Sequence, residues 1–100
     1  MTYRLSEPAE ADLIEIYLSG AAKFGVNQAE KYQDKIDNTI ALVGNNPEIS
    51  RLRTEITPPI RVHPVGVHVI IYLVDDNRVV RILRVRHSRE NWPENPIGSI

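Results

Sequence analysis

The 100-residue sequence has the length of one folded domain. Hydrophobic residues make up 42% and charged residues 25% of the chain, which excludes a disordered tail, and the absence of cysteine excludes a disulfide framework or a thiolate metal site. The net charge of −1 conceals an asymmetry, because residues 1–50 carry −4 and residues 51–100 carry +3, with arginine as the only basic residue type of the second half.

The chain has no long apolar segment of the kind found in a secretory signal or a membrane span. We therefore expect a cytoplasmic protein with no membrane contact. The arginine-rich second half suits an anionic or acidic partner, because guanidinium groups form bidentate contacts with phosphates and carboxylates. The alternative is that these arginines only solvate strand edges and discourage edge-to-edge aggregation.

The N-terminal part predicts a short extended run over residues 2–5 and then a helix over residues 7–23. Ser6 is a suitable N-cap, and the acidic residues that follow it favour the positive end of the helix dipole. Gly25 is expected to end the helix. Its predicted buried stripe comprises Ala9, Leu13, Ile16, Tyr17 and Phe24.

A second helix is predicted after Gly25. Asn27 and Glu30 have the spacing of a capping box, Gly44 is a candidate C′ residue, and Pro47 disfavours continuation. Residues 6–46 should therefore form an αα-hairpin. The apolar seam of the second helix comprises Ala29, Tyr32, Ile36, Ile40 and Val43.

The prolines of residues 47–59 indicate a connection with at most one short helical turn. Strand-like alternation follows over residues 60–63, 67–74 and 78–86. Between the last two strands, Asp75-Asp76-Asn77 is a natural three-residue hairpin loop, with Asn77 able to adopt the left-handed conformation.

That loop places Tyr72 opposite Val80, Ile70 opposite Ile82 and His68 opposite Arg84. A simple alternation then predicts that the helices pack on a face formed by Val67, Val69, Ile71, Leu73, Val79, Leu83 and Val85. The open face, which we expect to carry function, would contain His68, Ile70, Tyr72, Val80, Ile82, Arg84 and Arg86.

These elements predict an α+β fold in a single domain over residues 1–100. An N-terminal αα-hairpin packs on one face of a small, mostly antiparallel C-terminal β-sheet. Residues 87–96 lack periodicity, and the last five residues include Pro, Gly and Ser, so we expect this tail to be partly ordered at best. Trp92 beside Arg89 suggests an exposed aromatic anchor for a protein partner, and the alternative is a residue folded back on the sheet edge.

Several segments carry a resemblance to a known family when their order and spacing are taken together. They are Tyr3-Arg4-Leu5-Ser6, then Ala9, Asp12, Leu13 and Ile16, then Phe24-Gly25 before Gln28-Ala29, Asn46-Pro47, Val67-His68-Val69-Ile70-Ile71-Tyr72 and Ile82-Leu83-Arg84-Val85-Arg86-His87-Ser88-Arg89. Over nearly the whole chain this arrangement resembles the ParE branch of the RelE/ParE toxin superfamily.

The resemblance implies a toxin that forms a hetero-oligomer with a ParD-like antitoxin and poisons DNA gyrase. DNA would be contacted only through the antitoxin, since the chain is slightly acidic and has no helix-turn-helix pattern. Relatives in the RelE branch instead cut messenger RNA on the ribosome, so the superfamily alone leaves the mechanism open. A non-toxic interaction module of the same fold is a third reading.

RNA cleavage requires a general base, a general acid and cations around the scissile phosphate. His87 is the only nearby group of suitable pKa, and residues 51–100 contain no lysine, so we predict no catalytic residue and no cofactor. His63, His68 and His87 share no metal-ligand spacing, so we predict no metal.

Arg84 is the best single candidate for contact with target or antitoxin, and its alternative is an intrachain salt bridge, for example to a helix carboxylate. The full set of candidate contact residues is Arg61, His68, Tyr72, Arg81, Arg84, Arg86, His87, Arg89 and Trp92.

Overall fold

The computed structural model describes residues 3–97. Thr2 of the predicted extended run and Gly98, Ser99 and Ile100 of the tail lie outside the described residues. The elements are β1 (Tyr3–Leu5), α1 (Glu7–Phe24), α2 (Val26–Asn45), a 3-10 turn (Pro47–Ile49), β2 (Leu52–Arg53), β3 (Ile60–Val65), β4 (His68–Val74) and β5 (Val80–His87).

The strands form one five-stranded sheet in the order β1-β5-β4-β3-β2. β1 runs parallel to β5, and every other neighbouring pair is antiparallel. The two helices pack together on one face of this sheet, which confirms the predicted α+β architecture. The single 3-10 turn agrees with the predicted connection, whereas the two-residue β2 was not predicted. No helix within residues 3–97 is long and apolar enough to cross a membrane.

Helix α1 begins where the sequence predicts. The Ser6 hydroxyl accepts the Ala9 N–H at 3.0 Å and donates to the Leu83 carbonyl at 2.7 Å, so one side chain both caps α1 and ties it to β5. Gly25, with φ of 92°, separates the helices as expected. Phe24, however, was assigned to the buried stripe and is 72% exposed.

Helix α2 buries the predicted seam, but both of its ends were predicted incorrectly. It starts at Val26 with Gly25 as N-cap and no side-chain cap, so Asn27 lies inside the helix and forms no capping box. Gly44 lies buried in the last turn, and the helix continues to Asn45. Asn46 ends it with a non-helical backbone conformation, φ of −137° and ψ of 67°, while its N–H still donates to the carbonyls of Leu42 and Val43.

Along β4 and the first part of β5 the two faces of the sheet are the reverse of the prediction, whereas Val85 lies on the predicted face. Ile70, Tyr72, Val80 and Ile82, which were assigned to the open face, pack beneath the helices together with Val85. Alternation correctly grouped these four residues on one face, but it does not show which face the helices cover. Beyond Ile82 the pairing of β4 with β5 is irregular: Leu83 has no partner, Tyr72 pairs with Ile82 and Ile71 pairs with Arg84. An extra residue of this kind reverses the alternation of side chains beyond it, and Val85 therefore shares the covered face.

The β4–β5 connection explains why the predicted register was wrong. It closes around Asp75, whose Oδ1 accepts the N–H groups of Asn77 at 2.8 Å and Val79 at 2.9 Å. The left-handed residue is Arg78, with φ of 64°, and not Asn77. The first pair beyond this longer loop is Val74 with Val80, so Tyr72 cannot lie opposite Val80.

The second face of the sheet carries its own apolar cluster, which we call the rear cluster: Ile60, Val62, Val69, Ile71 and Trp92, with Ile56 and Leu83 packed against it. The chain covers this face with its own C-terminal segment. Trp92 is only 8% exposed, so the expectation of a partly ordered tail is wrong for residues 88–97. The alternative, a tail folded back on the sheet, is confirmed, although Trp92 lies on the face and not at the edge.

Candidate partner-binding site

The arginines predicted to form an open cationic surface are mostly engaged within the molecule. Arg61 donates to the Ser50 carbonyl, and Arg81 pairs with Asp75 at 2.9 Å. Arg53 lies over the Trp92 ring, with 5.5 Å between the guanidinium carbon and the ring centroid. Among residues 3–97, Arg89 is the only arginine of the second half whose side chain has no such contact.

Arg84 joins three parts of the fold. Its Nε and Nη2 donate to the two carboxylate oxygens of Asp12 in α1 at 2.6 and 2.8 Å, and its Nη1 donates to the Ile97 carbonyl at 2.6 Å. The hydrogen bonds that Arg84 donates to Asp12 raise the pKa of the Arg84 guanidinium above its usual value. This confirms the alternative of a salt bridge to a helix carboxylate. The predicted position opposite His68 is wrong, because the register places Ile71 there.

Asp12 has a second role at the edge of β5. Its Oδ2 also accepts the backbone N–H of Val85 at 3.0 Å. Since β1 ends at Leu5, this part of β5 has no neighbouring strand on that side. The carboxylate therefore satisfies a backbone donor that the sheet leaves unpaired.

Arg86 holds the C-terminal segment in place. Its Nε and Nη2 donate to Glu90 at 3.2 and 3.0 Å, and its Nη1 donates to the carbonyls of Asn95 and Pro96 at 3.1 and 3.3 Å. The Arg86 hydrogen bond lowers the pKa of the Glu90 carboxyl. This arginine therefore organises the tail, and little of its guanidinium remains for a partner.

Tyr72 was a candidate contact residue on an open face, and that placement is wrong. Its side chain is fully buried beneath the helices, and its hydroxyl donates to the Pro47 carbonyl at 2.7 Å. Burial raises the pKa of the phenol. Trp92 is likewise removed from the surface, so neither aromatic ring is exposed for a partner in this structure.

An open cleft of about 600 Å³ lies between the helical hairpin and the ends of β4 and β5. Apolar groups form most of its walls, and two large apolar side chains at its rim, Phe24 and Val67, are 72% and 54% exposed. His68 and His87, two of the predicted contact residues, lie in this cleft. They are cross-strand partners, and their ring centroids are 5.3 Å apart.

Tyr32 of α2 closes one side of the cleft. Its Oη lies 2.6 Å from Nδ1 of His68 and accepts the backbone N–H of Val67 at 3.1 Å. Burial lowers the pKa of His68, and the neighbouring His87 lowers it further. Burial raises the pKa of Tyr32.

The described lining of the cleft offers little positive charge for a polyanion. Its charged lining residues are Asp12, Glu15, Glu90 and Lys23. Asp12 and Glu90 are neutralised by Arg84 and Arg86, which leaves Glu15 and Lys23, both on α1, without an ion-pair partner among the described residues. One carboxylate and one ammonium beside an apolar wall suit a protein segment better than a phosphate backbone.

The sequence reasoning missed Tyr32 and Asp12 as organisers of this region. Tyr32 was recognised only as a seam residue, and Asp12 only as an acidic residue of α1 that belongs to the segments of the family resemblance. Their partners lie 36 and 72 positions away along the chain. No local pattern signals such contacts.

The order of elements, the helical hairpin over a mostly antiparallel sheet and the flanking cleft define a RelE/ParE-like α+β protein. The model of the ParE toxin of the type II toxin-antitoxin system, parDE, matches residues 3–92. The chain belongs to this family.

Relatives of the chain agree with that assignment. Toxin ParE1 of Mycobacterium tuberculosis H37Rv is 34% identical over 93 residues, which cover 93% of this chain and 95% of the relative. Toxin ParE1 of Caulobacter vibrioides is 33% identical over 89 residues, covering 89% and 91%. A solved chain of a chromosomal ParDE system from P. aeruginosa matches the fold with a TM-score of 0.76 at 20% identity, over 87% of this chain and 95% of that chain.

Proposed function

We propose that this ParE-family toxin inhibits DNA gyrase without being an enzyme itself, and that a ParD-like antitoxin neutralises it in a hetero-oligomer. The observation that carries the proposal is the family match over residues 3–92, together with relatives named Toxin ParE1 that align along nearly their whole length. Both proposed partners are proteins, and DNA is contacted only through the antitoxin. We propose the cytoplasm as the place of action.

The cleft is the proposed antitoxin site. Its volume of about 600 Å³ is within the range of concave binding sites in proteins, and its walls are mainly apolar. Exposed apolar surface at Phe24 and Val67 gives a partner segment something to bury. Of the predicted contact residues, His68 and His87 lie in the cleft and Arg89 lies close to them along the chain.

Messenger RNA cleavage is the second candidate, because Tyr32, His68 and His87 bring acid-base groups together in the cleft. The charges argue against it. Phosphoryl chemistry requires cations around the phosphate, but Arg84 and Arg86 are committed to Asp12 and Glu90. Among the described cleft residues, Lys23 is the only side chain with a permanent positive charge.

Controlled expression in a bacterium distinguishes these functions. We expect filamentation, an SOS response and gyrase-dependent DNA breaks, with messenger RNA intact, and we expect purified protein to inhibit gyrase supercoiling. Rapid loss of messenger RNA with intact chromosomes would instead establish the nuclease. Normal growth with folded protein present would identify a non-toxic interaction module.

The antitoxin site is tested with the product of the adjacent reading frame, provided that it has a ribbon-helix-helix start and an amphipathic C-terminal end. Val67→Arg places a charge at the cleft rim, and Leu52→Arg is the matched control, because Leu52 is 44% exposed and does not line the cleft. We expect Val67→Arg to weaken binding by at least about tenfold, since a charge would be buried against apolar surface, whereas Leu52→Arg should bind normally. If both variants bind the antitoxin equally well, the antitoxin site does not lie in the cleft.

A further inference from the structure

We propose that Tyr32, His68 and His87 form a proton-sensitive latch that fastens the β3–β4 turn to α2 and opens when His68 takes up a proton. The latch would control the width of the cleft beside it. This inference does not depend on the identity of the target or of the antitoxin.

The latch is a single hydroxyl group with three partners on one turn. Tyr32 Oη accepts the Val67 N–H at 3.1 Å, lies 2.6 Å from His68 Nδ1 and lies 3.3 Å from the Val65 carbonyl. A phenol has one proton to donate, so the shorter contact receives it when His68 is neutral. The His68 ring proton is then on Nε2.

The turn is shaped to receive this hydroxyl. Gly66 has φ of 57°, and a Cβ at that position would lie 2.6 Å from the Tyr32 ring and from its hydroxyl oxygen. Only glycine allows so close an approach of the turn to α2. The latch therefore depends on a fitted contact between two elements and not on a flexible surface pair.

A proton on Nδ1 of His68 reverses the shortest of these hydrogen bonds. Nδ1 then becomes a donor, and the hydroxyl must turn its own proton to the Val65 carbonyl, which is 0.7 Å more distant than Nδ1 (3.3 against 2.6 Å). The new charge would also lie half-buried beside the His87 ring, 5.3 Å away between centroids. A charged imidazole gains solvation by leaving this position.

The surrounding charges offset only part of the cost of burying a charged His68: Glu90 and Asp12 raise its pKa, but by less than burial and His87 lower it. Two of the neighbouring carboxylates are already engaged, Asp12 by Arg84 and Glu90 by Arg86. Helix α1 also presents Glu15 and Lys23, whose opposite charges offset each other, while α2 presents Tyr32 and β5 presents His87. None of the described carboxylates forms a hydrogen bond with the His68 ring.

Proton linkage determines in which direction pH changes the stability of the closed latch. Burial lowers the pKa of His68 below 6.5 while the latch is closed, so the open state binds the proton more readily. The closed latch is therefore fully stable above pH 6.5 and weakens as the pH falls from there through the lowered pKa. Within that interval one linked proton changes the opening equilibrium by up to about tenfold per pH unit.

Amide hydrogen exchange of the full chain tests this proposal, with ring NMR signals reporting His68 protonation. The Val67 amide is the probe, because it donates directly to Tyr32, and the Ile36 amide of buried α2 is the internal reference. Between pH 7.5 and 5.5 we expect the Val67 protection factor to fall by about tenfold relative to that of Ile36.

Three variants complete the test. Gln at position 68 does not titrate, so His68→Gln should make Val67 protection independent of pH. His63→Gln is the matched control, because His63 contacts Ser50 and lies outside the cleft, and it should behave like the unmodified chain. Tyr32→Phe should lower Val67 protection at every pH. Constant protection in the unmodified chain, or an equal fall in His68→Gln, would overturn the latch.

Discussion

Replacing Trp92 by alanine tests whether the tail is part of the folded core. The side chain is 8% exposed and packs on the rear cluster, where it contacts the sheet face opposite the helices. Truncating a buried aromatic residue costs about 3–5 kcal/mol, because apolar burial is lost and a cavity remains. Trp92 lies at the border of the cluster beneath Arg53, so we expect the lower end of that range, about 3 kcal/mol.

Urea unfolding followed by far-UV circular dichroism measures this loss, since Trp92 is the only tryptophan and its fluorescence disappears in the variant. Phe24→Ala is the matched control: it also truncates an aromatic ring, but that ring is 72% exposed, and the expected change is within about 0.5 kcal/mol. If Trp92→Ala unfolds at the same urea concentration as the unmodified chain, the tail contributes nothing to the core and the argument fails.

Three further predictions follow from other contacts. Asp12→Ala should lower the free energy of unfolding by roughly 2–4 kcal/mol, because it leaves the largely buried Arg84 guanidinium and the Val85 N–H without their carboxylate acceptor. Asp37→Ala, at an exposed position, is the control in the same unfolding assay. Gly66→Ala should lower thermal stability, whereas Gly20→Ala should not, because position 66 has a positive φ and a Cβ there would collide with a tyrosine ring, while a Cβ at position 20 meets only Ala29 at 3.6 Å. The free energy of unfolding should decrease as the pH drops below 6.5, since His68 binds its proton less readily when the protein is folded. This decrease should be smaller in His68→Gln. If the free energy of unfolding changes with pH equally in the variant and the unmodified chain, His68 is not the source of the pH dependence.

The helical half of the molecule was largely predictable from its sequence. The seam of α2, the Ser6 cap and the break at Gly25 depend on interactions within a few residues along the chain, so local spacing reveals them. The errors occurred at the ends of α2 and at Phe24. There, local signals were weak or the prediction assumed that an apolar side chain must be buried.

The candidate site was less predictable. His68 and His87 were selected and do lie together in the cleft, but Tyr72 and Trp92 were selected as surface residues and are buried. Tyr72 was misplaced because alternation shows which residues share a face but not which face the helices cover. Trp92 was misplaced because residues 87–96 have no periodicity that could signal its packing on the rear cluster. The extra residue at Leu83 has a separate effect, since it places Val85 on the covered face together with Ile82.

By itself the sequence determined the order of the elements, the hairpin of two helices, the mostly antiparallel sheet and the family resemblance, because these depend on periodicity and on the order of short segments. Only the tertiary structure decided which face of the sheet is covered, that Arg84 and Arg86 hold α1 and the tail in place, and that Tyr32 meets His68. Strand register is set by a loop and an unpaired residue, and each of these side-chain contacts involves the packing of separate elements. Contacts between residues 36 or 72 positions apart produce no periodic pattern in the sequence.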